Sequence, residues 1–225
     1  MRRPWAVAWA LAALAALALA AWGAKPRTLH QVGNITYWRL AQLMPAPDPP
    51  PALSQINFKN FTYRLFPTEA APDPGQAGIP DFAGQGQPIP VPVSDGHFED
   101  RNNPSAPLEF DIVRHYIATL PHAPRHHLAI VFGIAYTGQD QPMCTGVIQT
   151  FAIYRHRLWL MGQITYDCRG GMNAQYIARK HQIRIASAVF APGDRPCCPS
   201  LQDSANFKID GRRFKPSDVV LAPGS

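Results

Sequence analysis

The chain is poor in charge: only 16% of its 225 residues are Asp, Glu, Lys or Arg, while 46% are hydrophobic. That balance excludes an extended disordered protein and suits one compact domain with tails. Cysteine is scarce too. None of the four precedes Cys144, which excludes a lipid-modified cysteine near the N-terminus, and no C-x-x-C spacing occurs. Catalytic motifs are also missing. There is no G-x-S-x-G nucleophile elbow, and Gly84-Gln85-Gly86 is no phosphate loop, since neither a preceding strand nor a following Lys and helix is evident. The sequence names no reaction and implies no cofactor.

What is present starts with Met1-Arg2-Arg3, an Ala/Leu-rich run from Trp5 to Ala24, and Lys25-Pro26-Arg27. Basic, then apolar, then small residues is the layout of an export signal, with cleavage after Ala20 or Gly23. At about 20 residues the run is also long enough to span a bilayer. Residues 1–24 therefore read as a cleaved signal peptide or an uncleaved membrane anchor. Both readings export the remainder to the periplasm, the exterior, or the outer side of the cytoplasmic membrane. Fourteen of the 24 prolines cluster between Pro45 and Pro107.

The centre of the chain carries the strand signal. LAIVFGIAY (Leu128 to Tyr136), VIQTFAIY (Val147 to Tyr154) and RLWLMGQITY (Arg157 to Tyr166) are rich in β-branched and aromatic residues. Only Arg155 and His156 separate the last two, which predicts an antiparallel hairpin. A two-residue turn pairs Ile153 with Leu158, Phe151 with Leu160 and Val147 with Ile164. A three-residue turn instead sets Cys144 opposite Cys168. A bulge near Gly162 reconciles the two. Two more hairpins follow, Asn173–Ala178 with Gln182–Phe190, and Asn206–Ile209 turning at Asp210-Gly211 into Arg212–Phe214. Successive hairpins predict a mainly β fold, an antiparallel meander, with α+β as the variant.

Elsewhere, Thr28 to Met44 places Val32, Ile35, Trp38 and Leu43 at roughly helical spacing, which reads as a short interfacial helix or, because Gly33 and Asn34 interrupt it, a partly ordered spacer. Pro45 to Pro51 favours an extended polyproline segment. Ile56 to Phe66 reads as the strand that opens the folded domain, and residues 67–107 as a long Pro/Gly-rich loop, with IPVPV (Ile89 to Val93) an edge strand. Leu108 to Leu120 reads as a strand. The expected organisation is thus a signal or anchor over 1–24, a Pro-rich spacer over 25–55, an exported β-rich domain over 56–218 and a tail over 219–225.

The segment IRIASAVFAPGDRPCCPSLQDSANFKIDGRRF resembles the C-terminal end of a group of exported bacterial proteins of unknown function, and is more weakly similar to the LppP/LprE lipoprotein domain. The matching positions are Gly193 and Asp194, then Cys197, Cys198, Pro199 and Ser200, then Phe207, Gly211 and Phe214. Phe58 to Tyr63 and Gly170-Gly171 also resemble that group. The resemblance implies export and a β-rich fold, and no activity. Members often carry an Asp/Gly-rich, calcium-type loop before the strand corresponding to Leu128–Tyr136; here Leu120 to His127 reads LPHAPRHH, without a carboxylate. The lipobox cysteine of the lipoprotein members is also missing.

Cysteines of an exported chain are expected to be oxidised, and Cys144, Cys168, Cys197 and Cys198 allow three pairings. Hairpin geometry favours Cys144 with Cys168, leaving Cys197 and Cys198 as a vicinal bridge or as thiols available for redox or metal work. The alternatives staple each adjacent cysteine to a separate partner, and the about 3.8 Å between adjacent Cα atoms speaks for these. His115, His122, His126 and His127 form the local histidine cluster, but Pro121 and Pro124 spoil helical delivery of ligands, so no metal site is assigned. Carboxylates for hydrolysis would come from Glu99, Asp100, Glu109 and Asp111. Ser200, after Pro199, reads as a turn residue.

The net charge of +6 falls by two without Arg2 and Arg3. Arg155, Arg157, Arg169, Arg179, Lys180, Arg184, Arg195, Arg212 and Arg213 bias the C-terminal half positive. The expected role is a non-enzymatic envelope accessory or binding module. Its partner would be an envelope protein or an anionic envelope component, with membrane contact through residues 5–24 if these are retained, and no nucleic acid. An extracytoplasmic hydrolase and a thiol redox or metal-handling protein using Cys197 and Cys198 are the rivals.

Overall fold

The structure, a computed structural model, describes residues 28–68, 79, 87–100, 107–120, 123–137, 143–169, 174–195, 198–210 and 213–223. The expected signal or anchor segment lies outside them. Among the described residues no helix is long and apolar enough to cross a membrane.

The near-continuous apolar run of Leu128–Tyr136 is explained by burial on both sides. Leu128, Ile130 and Phe132 enter one core, while Ala129, Val131 and Ala135 enter another. Such a strand needs no polar alternation. It belongs to β7 (Ala123–Thr137), central in a seven-stranded antiparallel sheet with β1 (Thr28–Val32), β2 (Ile35–Leu43), β5 (His97–Asp100), β6 (Leu108–Leu120), β8 (Met143–Tyr154) and β9 (Arg157–Asp167). Their order is β1-β2-β9-β8-β7-β6-β5.

Two smaller sheets cover the faces of this one. On one side lies the hairpin of β3 (Thr62–Leu65) and β4 (Ile89–Pro92). Its core gathers Phe58, Tyr63, Leu65, Val91, Phe110 and Phe151. On the other lies a four-stranded meander of β10 (Ala174–Ile177), β11 (Gln182–Val189), β12 (Leu201–Asp210) and β13 (Arg213–Pro223). Here Ile183, Ile185, Phe207 and Phe214 pack on Tyr37, Ile148 and Ile164. The three predicted hairpins therefore divide between two sheets, the first in the large sheet and the others in the meander.

The β8–β9 register combines both sequence alternatives. Arg155 and His156 form a two-residue turn with both φ angles positive, at 49° and 56°, as a type I′ turn requires. Ile153 pairs with Leu158 and Phe151 with Leu160, then Thr150 pairs with Gly162, so Met161 is the extra residue of a bulge. Beyond it the frame has shifted by one: Val147 faces Thr165 rather than Ile164, and Thr145 faces Asp167. The shift brings Cys144 to Cys168 at the open end.

Several expectations are corrected. Thr28 to Met44 is neither an interfacial helix nor a spacer: β1 and β2 form a hairpin through Gly33-Asn34, and β2 pairs with β9. Both faces of β2 are buried, Ile35 and Tyr37 in one core and Leu40 in the other, so the apolar residues lose their period of two and mimic helical spacing. Gly33, with φ 57°, lies against the Asp203 carboxylate, which accepts the Asn34 N–H at 2.6 Å. The folded domain thus begins in the residues assigned to a spacer, and β13 carries it to Pro223, past the expected end at 218. Within Ile56–Phe66 only Thr62–Leu65 is strand, because Asn57 Oδ1 takes the Lys59 N–H and starts a turn. Within the loop expected over 67–107, IPVPV forms β4 as the sequence predicts, whereas β5 and the fully buried Ile79 depart from a loop.

Candidate functional site

β5 is only four residues long, yet it is held firmly. Asp95 and Gly96 turn with φ angles of 52° and 89°, a shape Asp-Gly favours. The Gly96 N–H reaches Lys59 O at 2.8 Å, and Gly96 O accepts the Ile112 N–H at 2.7 Å. Asp95 N–H donates to Asn60 Oδ1 at 3.0 Å. From this anchor β5 pairs with the start of β6, His97 with Asp111, Phe98 with Phe110 and Glu99 with Glu109.

Strand alternation sorts these side chains. Phe98 and Phe110 turn into the core. His97, Glu99, Glu109 and Asp111 share the opposite face. His97 Nδ1 lies 2.8 Å from Asp111 Oδ1 and 3.9 Å from Glu109 Oε1. The hydrogen bond to Asp111 raises the His97 pKa above its ordinary value, and the charges of Asp111, Glu109 and Glu99 push the same way. Among the described residues, His97, Glu109 and Asp111 are the one group placed to hold a metal ion. Side-chain exposures of 49%, 46% and 39% leave all three open to solvent among the described residues.

The four carboxylates singled out in the sequence are therefore only partly assembled. Glu109 and Asp111 come together beside His97 and Glu99 shares their face, while Asp100, paired with Leu108, alternates to the other face. His97 was not a sequence candidate. The signal that points to it is Asp95-Gly96, a tight-turn dipeptide that fixes where HFED enters the sheet. The expected histidine cluster is dispersed among its described members: His115 rests against the Phe58 ring at 5.4 Å, and His127 Nδ1 approaches Thr119 Oγ1 at 3.4 Å. His122 lies outside the described residues, as do Gly84-Gln85-Gly86.

Cys144 and Cys168 form a disulfide with a Cα separation of 5.2 Å, and the Cys168 N–H donates to Cys144 O at 3.1 Å. This pairing overturns the arrangements that staple either cysteine to the CCPS segment, because the bulge delivers the two sulfurs to each other across the strands. Cys198 is also disulfide-bonded; Cys197 lies outside the described residues. Ser200 is a turn residue, its N–H and hydroxyl donating to Asp194 Oδ2 at 2.8 and 3.0 Å, with the Ala191 N–H added at 2.7 Å. The Ser200 N–H, then that of Ala191, holds the Asp194 carboxyl below its usual pKa.

The basic residues separate into two sets. Arg169 is ion-paired to Asp167 and its guanidinium sits 4.0 Å from the Phe190 ring centroid, Arg157 reaches Asp48 at 3.5 Å, and Arg155 covers Tyr154. By contrast Arg184, Lys208 and Lys215 are exposed on the outer face of the four-stranded sheet, opposite its buried Ile183, Phe207 and Phe214. Arg179 and Lys180, also exposed, occupy the turn beside them. Arg195 is exposed on the loop after β11, and Arg212 lies outside the described residues. Lys208 stands directly opposite Lys215, which is also ion-paired to Asp210.

Comparison with known protein families, curated proteins and solved structures found no match to this chain.

Proposed function

We propose that the chain is an exported, non-enzymatic binding module of the bacterial envelope, one that engages an anionic envelope component through the outer face of its four-stranded sheet. The observation that carries this reading is the gathering of Arg184, Lys208 and Lys215 on one solvated sheet face, with Arg179 and Lys180 in the adjoining turn. Antiparallel sheets bury one face and wet the other, and the wet face here carries these basic residues, with Asp210 paired to Lys215. Lys208 stands directly opposite Lys215, a like-charge contact that Asp210 offsets at Lys215 and that a bound anion would offset further. Export agrees with the apolar run at residues 5–24 and with an oxidised Cys144–Cys168 pair, which persists in oxidising compartments.

The test is co-sedimentation of the protein with vesicles containing anionic lipid, and in parallel its retention on an acidic polysaccharide. Binding to either should weaken steeply with added salt and fall by roughly tenfold or more in an Arg184→Glu/Lys208→Glu variant. Retention that ignores both salt and this variant would defeat the reading.

A further inference from the structure

We propose that His97, Glu109 and Asp111 bind a divalent first-row transition ion, of which zinc is the representative, on the surface formed by β5 and β6. This site is independent of the basic sheet face and gives the protein a second ligand of opposite charge.

Geometry comes first. His97 Nδ1 lies 2.8 Å from Asp111 Oδ1 and 3.9 Å from Glu109 Oε1, and donor atoms of all three groups fall within 4.8 Å of one another. A circle through the corners of such a triangle has a radius of roughly 2.0–2.4 Å, so an ion at its centre reaches ordinary Zn–N and Zn–O bond lengths after a few tenths of an ångström of contraction. The donors stand on neighbouring positions of a hydrogen-bonded ladder, whose spacing is set by the backbone and not by a loop. Site precision of this kind comes from rigid elements.

Charge is the second argument. Among the described residues, the His97 imidazole is the one basic side chain within 4 Å of Glu109 or Asp111. Glu99 adds a third carboxylate on the same face, directly opposite Glu109. In a chain with net charge +6, concentrating acids here runs against the overall balance.

The donor set selects the ion. One imidazole nitrogen with two carboxylates suits zinc, manganese or nickel, whereas calcium takes six to eight oxygens and magnesium keeps its waters. Binding exchanges the His97–Asp111 hydrogen bond for two metal–ligand bonds. Three protein donors leave coordination positions facing solvent, filled by water or by a ligand atom from a partner.

The experiment is calorimetric titration of the full chain with zinc chloride, with cobalt chloride as a spectroscopic stand-in. The expected result is one ion per chain, with micromolar affinity that millimolar calcium does not displace. Binding should weaken about tenfold or more in both His97→Gln and Asp111→Asn, while the far-UV circular dichroism of each variant stays that of the parent. Two variants guard against a local folding defect in either. Zinc uptake unchanged in both would place the ion elsewhere and overturn the proposal, as would a parent protein that takes up no zinc.

Discussion

Gln163 is fully buried, and its amide works as a substitute peptide unit. Its Oε1 accepts the Phe66 N–H at 3.0 Å and its Nε2 donates to Phe66 O at 2.8 Å. Gln149, its neighbour across β8 and β9, donates to Gln163 Oε1 at 2.8 Å and to Arg64 O at 2.7 Å. Two glutamine side chains thereby satisfy the backbone at the end of β3 and dock the small hairpin on the large sheet. Gln163→Leu keeps much of the volume but strands the Phe66 N–H and C=O in the core. Each buried polar group left unpaired costs about 1–3 kcal/mol, so the variant should lose roughly 2–5 kcal/mol in urea unfolding, where Gln175→Leu at an exposed position of β10 should lose almost nothing. Nothing in the sequence distinguishes these glutamines. A polar residue in an apolar strand reads equally as solvent-facing, and only the arrival of Phe66, nearly a hundred residues away, gives Gln163 its role. Ser200 was legible for the opposite reason, since its partner Asp194 is only six residues away.

Local signals in the sequence specify the elements well, and remote ones poorly. The β8–β9 hairpin could be drawn from the two residues between its strands, down to the bulge that reconciles its two registers. β1 and β2 could not, because a strand buried on both faces gives up the alternation that announces it. β5 was hidden by its shortness, and its place beside β6 depends on backbone bonds from Gly96 to Lys59 and Ile112. The disulfide belongs to this scale. It closes a span of 24 residues, for which loop-closure entropy gives about 3 kcal/mol. The hairpin already holds its ends together, so the Cys144→Ser/Cys168→Ser variant should lose about 2–3 kcal/mol by denaturant midpoint. A loss below 1 kcal/mol (about) would mean that turn and bulge fix the strands unaided.

For the whole molecule, the controlling feature is one sheet shared by two cores. Ile148 points into the core beneath the four-stranded sheet, and Phe151 into the core beneath the small hairpin; both are fully buried. Because β7, β8 and β9 serve both cores, neither can come apart while the other stays intact. Ile148→Ala and Phe151→Ala should each cost about 3–5 kcal/mol and each shift a single transition, seen alike by circular dichroism and tryptophan fluorescence. Separate transitions, one per core, would contradict this. The mainly β class was legible from composition and hairpins, but the three-layer arrangement was not, since which face of a twice-buried strand meets which layer is decided by contacts far apart in the chain.

The two-sided burial of β8 and β9 also bears on how the chain finds its frame. In a half-buried strand a slip of one residue turns apolar groups to water, and solvent rejects the error. Here a slip carries the apolar groups from one buried interior to another, so water makes a weak judge, and the buried amides of Gln149 and Gln163, bonded to Arg64 and Phe66, resist it. The sulfurs of Cys144 and Cys168 do discriminate: they meet across the strands only when Met161 is the residue left over. The disulfide is therefore a checksum on the count of residues between turn and hairpin end, sealed once and only if the tally is right.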